Sequence, residues 1–134
     1  MTTILLVEDN DDIRDMMTIQ LQKKGFSVVA ANNGHEAVQQ TVQCAPALIL
    51  MDINMPELDG IQATVQIRAA DPEYRIPVIA ITAYALPGDA ARAKSAGCDA
   101  FHAKPVDFDK LFAQINELIG EVSGGGSSAA RPIG

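Results

Sequence analysis

Residues 47–52 have the sequence Ala-Leu-Ile-Leu-Met-Asp, an unbroken apolar run that closes on a carboxylate. A strand that alternates apolar and polar residues exposes one face to water, whereas this run has no polar face. Strands of this kind are typical of parallel sheets that are covered by helices on both sides. Residues 47–51 therefore predict a central strand of an α/β fold, with Asp52 at its carboxyl end.

Short apolar runs of the same kind alternate with segments of helical periodicity along the chain. The predicted strands are residues 3–7, 26–30, 47–51, 77–81 and 99–103. A helix is predicted after each strand, with Asp59 and Asp107 as N-caps of the third and fifth helices. Asn32, Asn33 and Gly34 form a predicted turn before a second helix over residues 35–44. This alternation predicts one parallel sheet in a three-layer α/β sandwich with right-handed crossovers.

The chain has 134 residues, of which 48% are hydrophobic, which is typical of one globular domain. We expect the domain to cover residues 1–121. Residues 122–134 are rich in Gly and Ser and lack periodicity, so we expect a flexible tail or the start of a linker.

Charge and apolar patterning exclude several classes of partner. The net charge of −7 repels nucleic-acid phosphates, so we expect no direct nucleic acid binding. No apolar run approaches the roughly 20 residues of a membrane span, so membrane insertion is not expected. Cys44 and Cys98 lack metal-binding spacing and are expected to be free thiols. With no secretion signal at the N-terminus, these features predict a cytoplasmic protein.

Polar side chains follow four of the five predicted strands. They are Glu8 and Asp9 after the first strand, Asp52 after the third, Thr82 after the fourth and Lys104 after the fifth. The carboxyl ends of parallel strands meet at one edge of a sheet, so these groups should converge. Carboxylates without His or Cys favour Mg²⁺, and an ammonium suits a phosphate oxygen. Carboxylates that can hold Mg²⁺, a hydroxyl and an ammonium are the groups that phosphoryl transfer to Asp52 requires.

Each of these residues also has an ordinary structural interpretation. Asp9 could cap the first helix, Asp52 could be a loop residue, Thr82 could close a turn and Lys104 could be solvated. Their joint placement at four strand ends favours the site. His35 and His102 share no ligand spacing and are expected at the surface or the margin of the core.

Four stretches of the sequence resemble the response-regulator receiver family of two-component signalling, and the similarity covers residues 3–120. They are Ile-Leu-Leu-Val-Glu-Asp-Asn (4–10), Leu-Ile-Leu-Met-Asp-Ile-Asn-Met-Pro-Glu-Leu-Asp-Gly (48–60), Ile-Ala-Ile-Thr-Ala-Tyr-Ala (79–85) and Ala-Gly-Cys-Asp-Ala-Phe-His-Ala-Lys-Pro (96–105). The resemblance implies a flavodoxin-like fold with strand order 2-1-3-4-5.

The resemblance also implies a phosphorylation site that depends on Mg²⁺. Asp52 matches the phospho-acceptor of the family. Asp9 matches a direct ligand of the metal, Glu8 a ligand that acts through water, and Asn54 a residue that lends its backbone carbonyl. The implied function is that of a phosphorelay receiver, which catalyses only its own aspartyl phosphorylation and slow dephosphorylation and then switches conformation.

Three residues match the switch positions of the family. Thr82 corresponds to the switch hydroxyl, and Phe101 to the aromatic switch residue; because Phe101 lacks a hydroxyl, packing alone would drive its inward movement. Tyr84 is expected to shield the acyl phosphate from water and so to give a long phosphorylated lifetime. Lys104 matches the phosphate-binding lysine, and a cis peptide is expected between it and Pro105.

The implied partners are a histidine kinase or histidine phosphotransfer protein and a downstream protein effector. The phosphoryl donor is expected to dock on the first helix at Ile13 and Met16. Met16 and Ile19 lie off the core-facing stripe of that helix, and the alternative is that Met16 is half-buried core. Output contacts are expected near the fourth helix, fifth strand and fifth helix, in a monomer or a weak phosphorylation-dependent dimer.

Three alternatives belong to other classes. A phosphatase of the haloacid-dehalogenase type would need a second Asp where Asn54 stands. A flavodoxin would need a phosphate-binding loop where residues 8–12 carry four acidic side chains. A degenerate receiver could act purely as a binding module, although the acidic, Thr and Lys set is complete. The chain could be a stand-alone regulator or one receiver of a larger protein.

Overall fold

The computed structural model describes residues 2–53, 55, 59–71, 76–83 and 88–119. These residues form a five-stranded parallel sheet of order β2-β1-β3-β4-β5. The strands are β1 (Thr3–Val7), β2 (Ser27–Ala31), β3 (Leu48–Asp52), β4 (Val78–Thr82) and β5 (Ala100–Ala103). This is the flavodoxin-like order, and it confirms the predicted fold class. The boundary between residues 1–121 and the tail at 122–134 lies outside the described residues and stays a prediction.

Five helices within the described part of the chain cover both faces of the sheet. They are α1 (Asp11–Lys23), α2 (Gly34–Cys44), α3 (Gly60–Ala70), α4 (Asp89–Ala96) and α5 (Phe108–Ile119). Apolar residues of α1 and α5 join one core cluster, and those of α2, α3 and α4 join the other. Among the residues described, none of the helices has the length and apolarity that a membrane crossing requires.

The two core clusters explain why the strands are apolar without alternation. Successive side chains of a strand point to opposite faces of the sheet. In β1, Ile4 and Leu6 therefore join the cluster under α1 and α5, while Leu5 and Val7 join the cluster under the other three helices. All four of these residues are at most 1% exposed. The absence of a polar face in the central strands β1, β3 and β4 is thus the signature of the three-layer arrangement.

The strands β2 to β5 begin one residue later than their apolar runs predict. The backbone pairing of β3 continues through Asp52, which pairs with Ile81, and that of β4 continues through Thr82, which pairs with Ala103. The prediction ended these strands at the last apolar residue, but ladder pairing depends on the backbone and not on side-chain polarity. Asp52 and Thr82 are therefore held by the sheet itself and do not belong to loops.

Side-chain oxygens cap four of the helices. The predicted caps Asp59 and Asp107 are confirmed: Asp59 forms a capping box with Gln62, and the Asp107 carboxylate accepts from the third residue after it. Asn10 caps α1 and Asn33 caps α2. The prediction of a turn at residues 32–34 missed the cap at Asn33, because asparagine favours both structures.

A buried arginine fixes the edge of the sheet opposite to the carboxyl ends of its strands. The guanidinium of Arg68, at the end of α3, donates to the carbonyl oxygens of Gly97 and Ile76. It also pairs with the carboxylates of Asp71 and Asp99 at 3.1 and 2.9 Å. The residue is 6% exposed, and its planar fork suits several acceptors at once. These bonds tie together the chain segments that lead into β4 and β5.

Both cysteines are free, as predicted. Cys44 is half-buried on α2, whereas Cys98 is buried beside Thr64. Burial raises the pKa of the Cys98 thiol to about 11, although the hydrogen bond with Thr64 acts in the opposite direction. A thiol with this pKa carries almost no reactive thiolate at neutral pH.

The close approach of α3 to the end of β3 predicts a large effect of Gly60→Ala. A Cβ atom on Gly60 would overlap the carbonyl oxygen of Asp52 and lie 2.6 Å from the Cα of Ile53. Backbone atoms cannot move aside without a large energetic cost, so we expect the free energy of unfolding to fall by about 3 kcal/mol or more. Urea titration followed by far-ultraviolet circular dichroism measures the change.

The matched control for this prediction is Gly25→Ala. Gly25 has φ = +95°, but nothing lies within 4 Å of an added Cβ, so the cost is the backbone strain of about 1–2 kcal/mol alone. Equal losses in the two variants would contradict the close packing of α3 on β3.

Candidate functional site

Three carboxylates converge at the carboxyl edge of the sheet. Glu8 and Asp9 directly follow β1, and Asp52 is the last residue of β3. Each offers an oxygen that lies within 4.8 Å of the others. Glu8 and Asp52 are 2% and 3% exposed, while Asp9 faces solvent. The predicted convergence of these three residues is confirmed as geometry.

The backbone around Glu8 is held from two sides, which sets the direction of its side chain. Its N–H donates to the carbonyl of Ala31 in β2, and its own carbonyl accepts from the guanidinium of Arg14 at 3.0 Å. The carboxylate accepts from the N–H of Asn10 at 3.2 Å. The sequence pattern does not predict this role of Arg14, because the hydrogen bond joins a helix side chain to a backbone carbonyl at the end of the preceding strand.

The interpretation of Asp9 as a mere helix cap does not hold. The N-cap of α1 is Asn10, whose side-chain oxygen accepts from the N–H of Ile13 at 2.9 Å. The carboxylate of Asp9 takes no part in this cap and belongs to the acidic group beside Glu8 and Asp52.

Lys104 supplies the cation that faces these carboxylates. Its Nζ lies 3.0 Å from Glu8 Oε1 and 3.5 Å from Asp52 Oδ2. Burial alone would lower the pKa of Lys104, but the hydrogen bond to Glu8 and the charge of Asp52 outweigh it and raise the pKa above its usual value. The ammonium is therefore charged at neutral pH. The peptide bond between Lys104 and Pro105 is cis, as expected.

The two predicted switch residues that the structure describes lie on the neighbouring strands β4 and β5. Thr82 is the last residue of β4 and is fully buried, and its backbone carbonyl accepts from the N–H of Lys104 at 2.7 Å. Phe101, on β5, pairs with Ala80 and packs as a half-buried ring against the cluster under α2, α3 and α4. Asn54 and Tyr84, the other residues expected here, lie outside the described residues.

The helix α1 presents apolar residues next to this acidic edge. Met16 and Ile19 are 44% and 52% exposed, whereas Met17 and Leu21 are buried. Ile13 is half-buried and packs against the cluster under α1 and α5. Met16 is thus not core, and Ile13 contributes to both the core and the surface.

The donor set fits a hard divalent cation. All three candidate ligands are carboxylates, and the group contains neither His nor Cys, which is the preference of Mg²⁺. One ammonium cannot neutralise three carboxylates, so the cluster keeps negative charge that a cation would balance. Asp9 is exposed to solvent, so a cation can reach the carboxylates from that side.

Comparison with known proteins gives a consistent result. The family model of the response regulator receiver domain matches residues 4–116. The polar-differentiation response regulator DivK of Brucella anthropi is 33% identical over 119 residues, which cover 89% of this chain and 97% of that protein.

Solved structures with the same fold include two that carry partners or ligands. The receiver domain of Ssk1 from Saccharomyces cerevisiae, crystallised with the histidine phosphotransfer protein Ypd1, is 31% identical with a TM-score of 0.80 and 87% of each chain covered. The response regulator TrrA from Thermotoga maritima, in complex with Mg²⁺-BeF, is 28% identical with a TM-score of 0.79 and covers 87% of this chain and 98% of its own. The chain described here belongs to the response regulator receiver domain family.

Proposed function

We propose that Asp52 accepts a phosphoryl group from a phosphohistidine, carried by a histidine kinase or a histidine phosphotransfer protein. The observation that carries this proposal is the contact of one ammonium, that of Lys104, with both Glu8 and Asp52 at the edge where the acidic cluster lies. The receiver domain family and the Ssk1 receiver crystallised with a phosphotransfer protein support the same role.

In this reaction a carboxylate oxygen of Asp52 attacks the phosphorus of the donor. An oxygen–phosphorus bond forms, the phosphorus–nitrogen bond breaks, and the imidazole of the donor leaves with the electron pair. The product is an acyl phosphate on Asp52. Lys104 is positioned to neutralise charge on the oxygens of the transferring group, where the transition state needs it. Asp52 is buried, so its carboxylate meets the donor in a setting with little water.

Mg²⁺ is the cofactor of the proposed reaction. Glu8, Asp9 and Asp52 would hold it, with the backbone carbonyl of Asn54 as the further ligand that the family resemblance implies. When bound, the ion supplies positive charge to the phosphoryl oxygens.

Thr82 and Phe101 form the proposed switch. The hydroxyl of Thr82, at the end of the strand next to Asp52, would donate to a phosphoryl oxygen. A shift of Thr82 would change the space beside β5, and the ring of Phe101 would move into that space. The surface near α4, β5 and α5 would then change in a way that a downstream protein effector can recognise.

Tyr84 is proposed to slow hydrolysis of the acyl phosphate. The protein would act as a monomer or a weak phosphorylation-dependent dimer in the cytoplasm, and its two free thiols agree with a reducing compartment.

The first prediction concerns Asp52→Asn. Incubation of the wild type with Mg²⁺ and phosphoramidate should add one phosphoryl group, seen by intact-mass measurement, because small donors can replace the partner. The variant should gain none, since an amide is not a nucleophile for this transfer. Asp109→Asn, which removes an exposed carboxylate on α5, is the matched control and should react like the wild type. Phosphorylation of Asp52→Asn to the same extent would refute the assignment.

The second prediction concerns Lys104→Ala. The rate of phosphorylation should fall by about 10²-fold, the usual loss when one stabilising group is removed from a developing charge. Glu8 and Asp52 would also face each other without a cation, so MgCl₂ should raise the melting temperature of the variant more than that of the wild type. Lys110→Ala, at an exposed position of α5, is the control. An unchanged rate in Lys104→Ala would contradict the role of the ammonium.

The third prediction tests docking on α1. Met16→Ala and Ile13→Ala should slow transfer from a phosphorylated histidine phosphotransfer protein that is active on the wild type, because apolar contact area is lost. The same variants should react normally with phosphoramidate, which needs no docking surface. Val42→Ala, which trims a 70% exposed apolar side chain on α2, should change neither rate. If Met16→Ala and Ile13→Ala accepted the phosphoryl group from the phosphotransfer protein as fast as the wild type and Val42→Ala, this surface would be excluded as the docking site.

A further inference from the structure

A buried histidine lies in the strand that carries Lys104. His102 is on β5, two residues before Lys104, and is 3% exposed. It faces α5, on the side of the sheet where the neighbouring residues Ile81 and Ala100 pack their apolar side chains against the core cluster. An imidazole in such a place is costly unless both ring nitrogens have hydrogen-bond partners.

Both ring nitrogens of His102 have partners from α5 and its N-cap. The N–H of Asp107 donates to Nε2 at 3.2 Å, and Nδ1 lies 2.8 Å from Oε1 of Gln114. The amide nitrogen of Gln114 in turn donates to the carbonyl oxygen of Phe101 at 3.2 Å. The three bonds form a relay that runs from the start of α5 back to β5.

The chemistry of the relay determines its protons. A backbone N–H can only donate, so Nε2 of His102 must accept and carry no proton. The neutral ring then has its proton on Nδ1, which donates to the carbonyl oxygen of Gln114. The NH₂ group of that amide is left to face the carbonyl of Phe101, which accepts. One tautomer and one amide orientation satisfy all three bonds.

The backbone segment that contains Lys104 is held by hydrogen bonds at both ends, and the relay supplies one of them. At the start of the segment, the N–H of Lys104 donates to the carbonyl of Thr82 at 2.7 Å. Past its end, the N–H of Asp107 is held by the imidazole. The side chain of Lys104 therefore leaves a backbone that is fixed on both sides, and its Nζ reaches Glu8 and Asp52 from that base.

We propose that His102, as the neutral ring protonated on Nδ1, is a positioning residue for Lys104. The inference rests on the proposed function, because the placement of Lys104 matters for rate only if its ammonium acts on the phosphoryl group. His102 touches no reacting atom. It acts by fixing the segment from residue 103 to residue 106, and Gln114 holds the ring in place by accepting from Nδ1.

The test compares two replacements of His102 that differ in hydrogen bonding. His102→Leu fills the space but accepts no hydrogen bond, so phosphorylation by phosphoramidate with Mg²⁺ should slow by about fivefold to tenfold, the value of one hydrogen bond. His102→Gln keeps an acceptor for the N–H of Asp107 and should restore most of the rate. His35→Gln, on the exposed face of α2, is the control and should react like the wild type.

Gln114→Leu gives a second route to the same question. Without the amide oxygen, the proton on Nδ1 loses its acceptor and the ring is held at Nε2 alone, so the rate should fall in the same direction. Because both residues act through one relay, the double variant His102→Leu with Gln114→Leu should be no slower than His102→Leu alone. ¹⁵N resonances of the wild-type imidazole should identify Nδ1 as protonated and Nε2 as bare.

The outcomes separate this inference from the proposed function. If the wild type takes no phosphoryl group, the function fails and the inference with it. If the wild type reacts and His102→Leu matches it, or His102→Gln is as slow as His102→Leu, the function stands and the positioning role is overturned. A ring protonated on Nε2 would overturn it as well. If His102→Leu does not fold, His102→Gln and Gln114→Leu still decide the matter.

Discussion

The charge balance around Lys104 is the constraint on which the site depends. Glu8 and Asp52 are almost fully buried and have oxygens within 4.8 Å of each other, and two like charges at that separation repel by roughly 3.5 kcal/mol at an effective dielectric constant of about 20. The ammonium of Lys104 contacts both, and its raised pKa keeps it charged. Since Asp9 adds a third carboxylate, the balance remains negative, and this remaining charge favours a divalent cation.

The same physics has the opposite result at the other edge of the sheet. Arg68 is also buried, but its guanidinium is matched by two carboxylates and two carbonyl oxygens. We interpret that cluster as structural, because its two carboxylates also accept the backbone N–H groups of Ile76 and Val78. The cluster around Lys104 sets three carboxylates against one ammonium, and this larger negative charge favours a divalent cation at the proposed site.

Much of the fold and the candidate site could be predicted, and the failures have physical causes. Asp59 and Asp107 were predictable as caps because capping is a local interaction. Asp52 and Thr82 were predicted to follow their strands, whereas they are the last paired residues, since polarity and ladder pairing end at different positions. His102 looked like a residue of the surface or the core margin. Its partner Gln114 lies twelve positions away, and no local pattern joins the two.

The sequence by itself determined the α/β class, the order of strands and helices along the chain and the set of polar residues at the strand ends. These follow from apolar periodicity and from turn and cap residues, which act over a few positions. Only the tertiary structure decided that Lys104 contacts both Glu8 and Asp52, that Arg14 holds the backbone of Glu8, and that the N–H of Asp107 donates to the ring of His102. Such contacts depend on strand register and side-chain rotamers between distant segments, and the sequence pattern does not specify them.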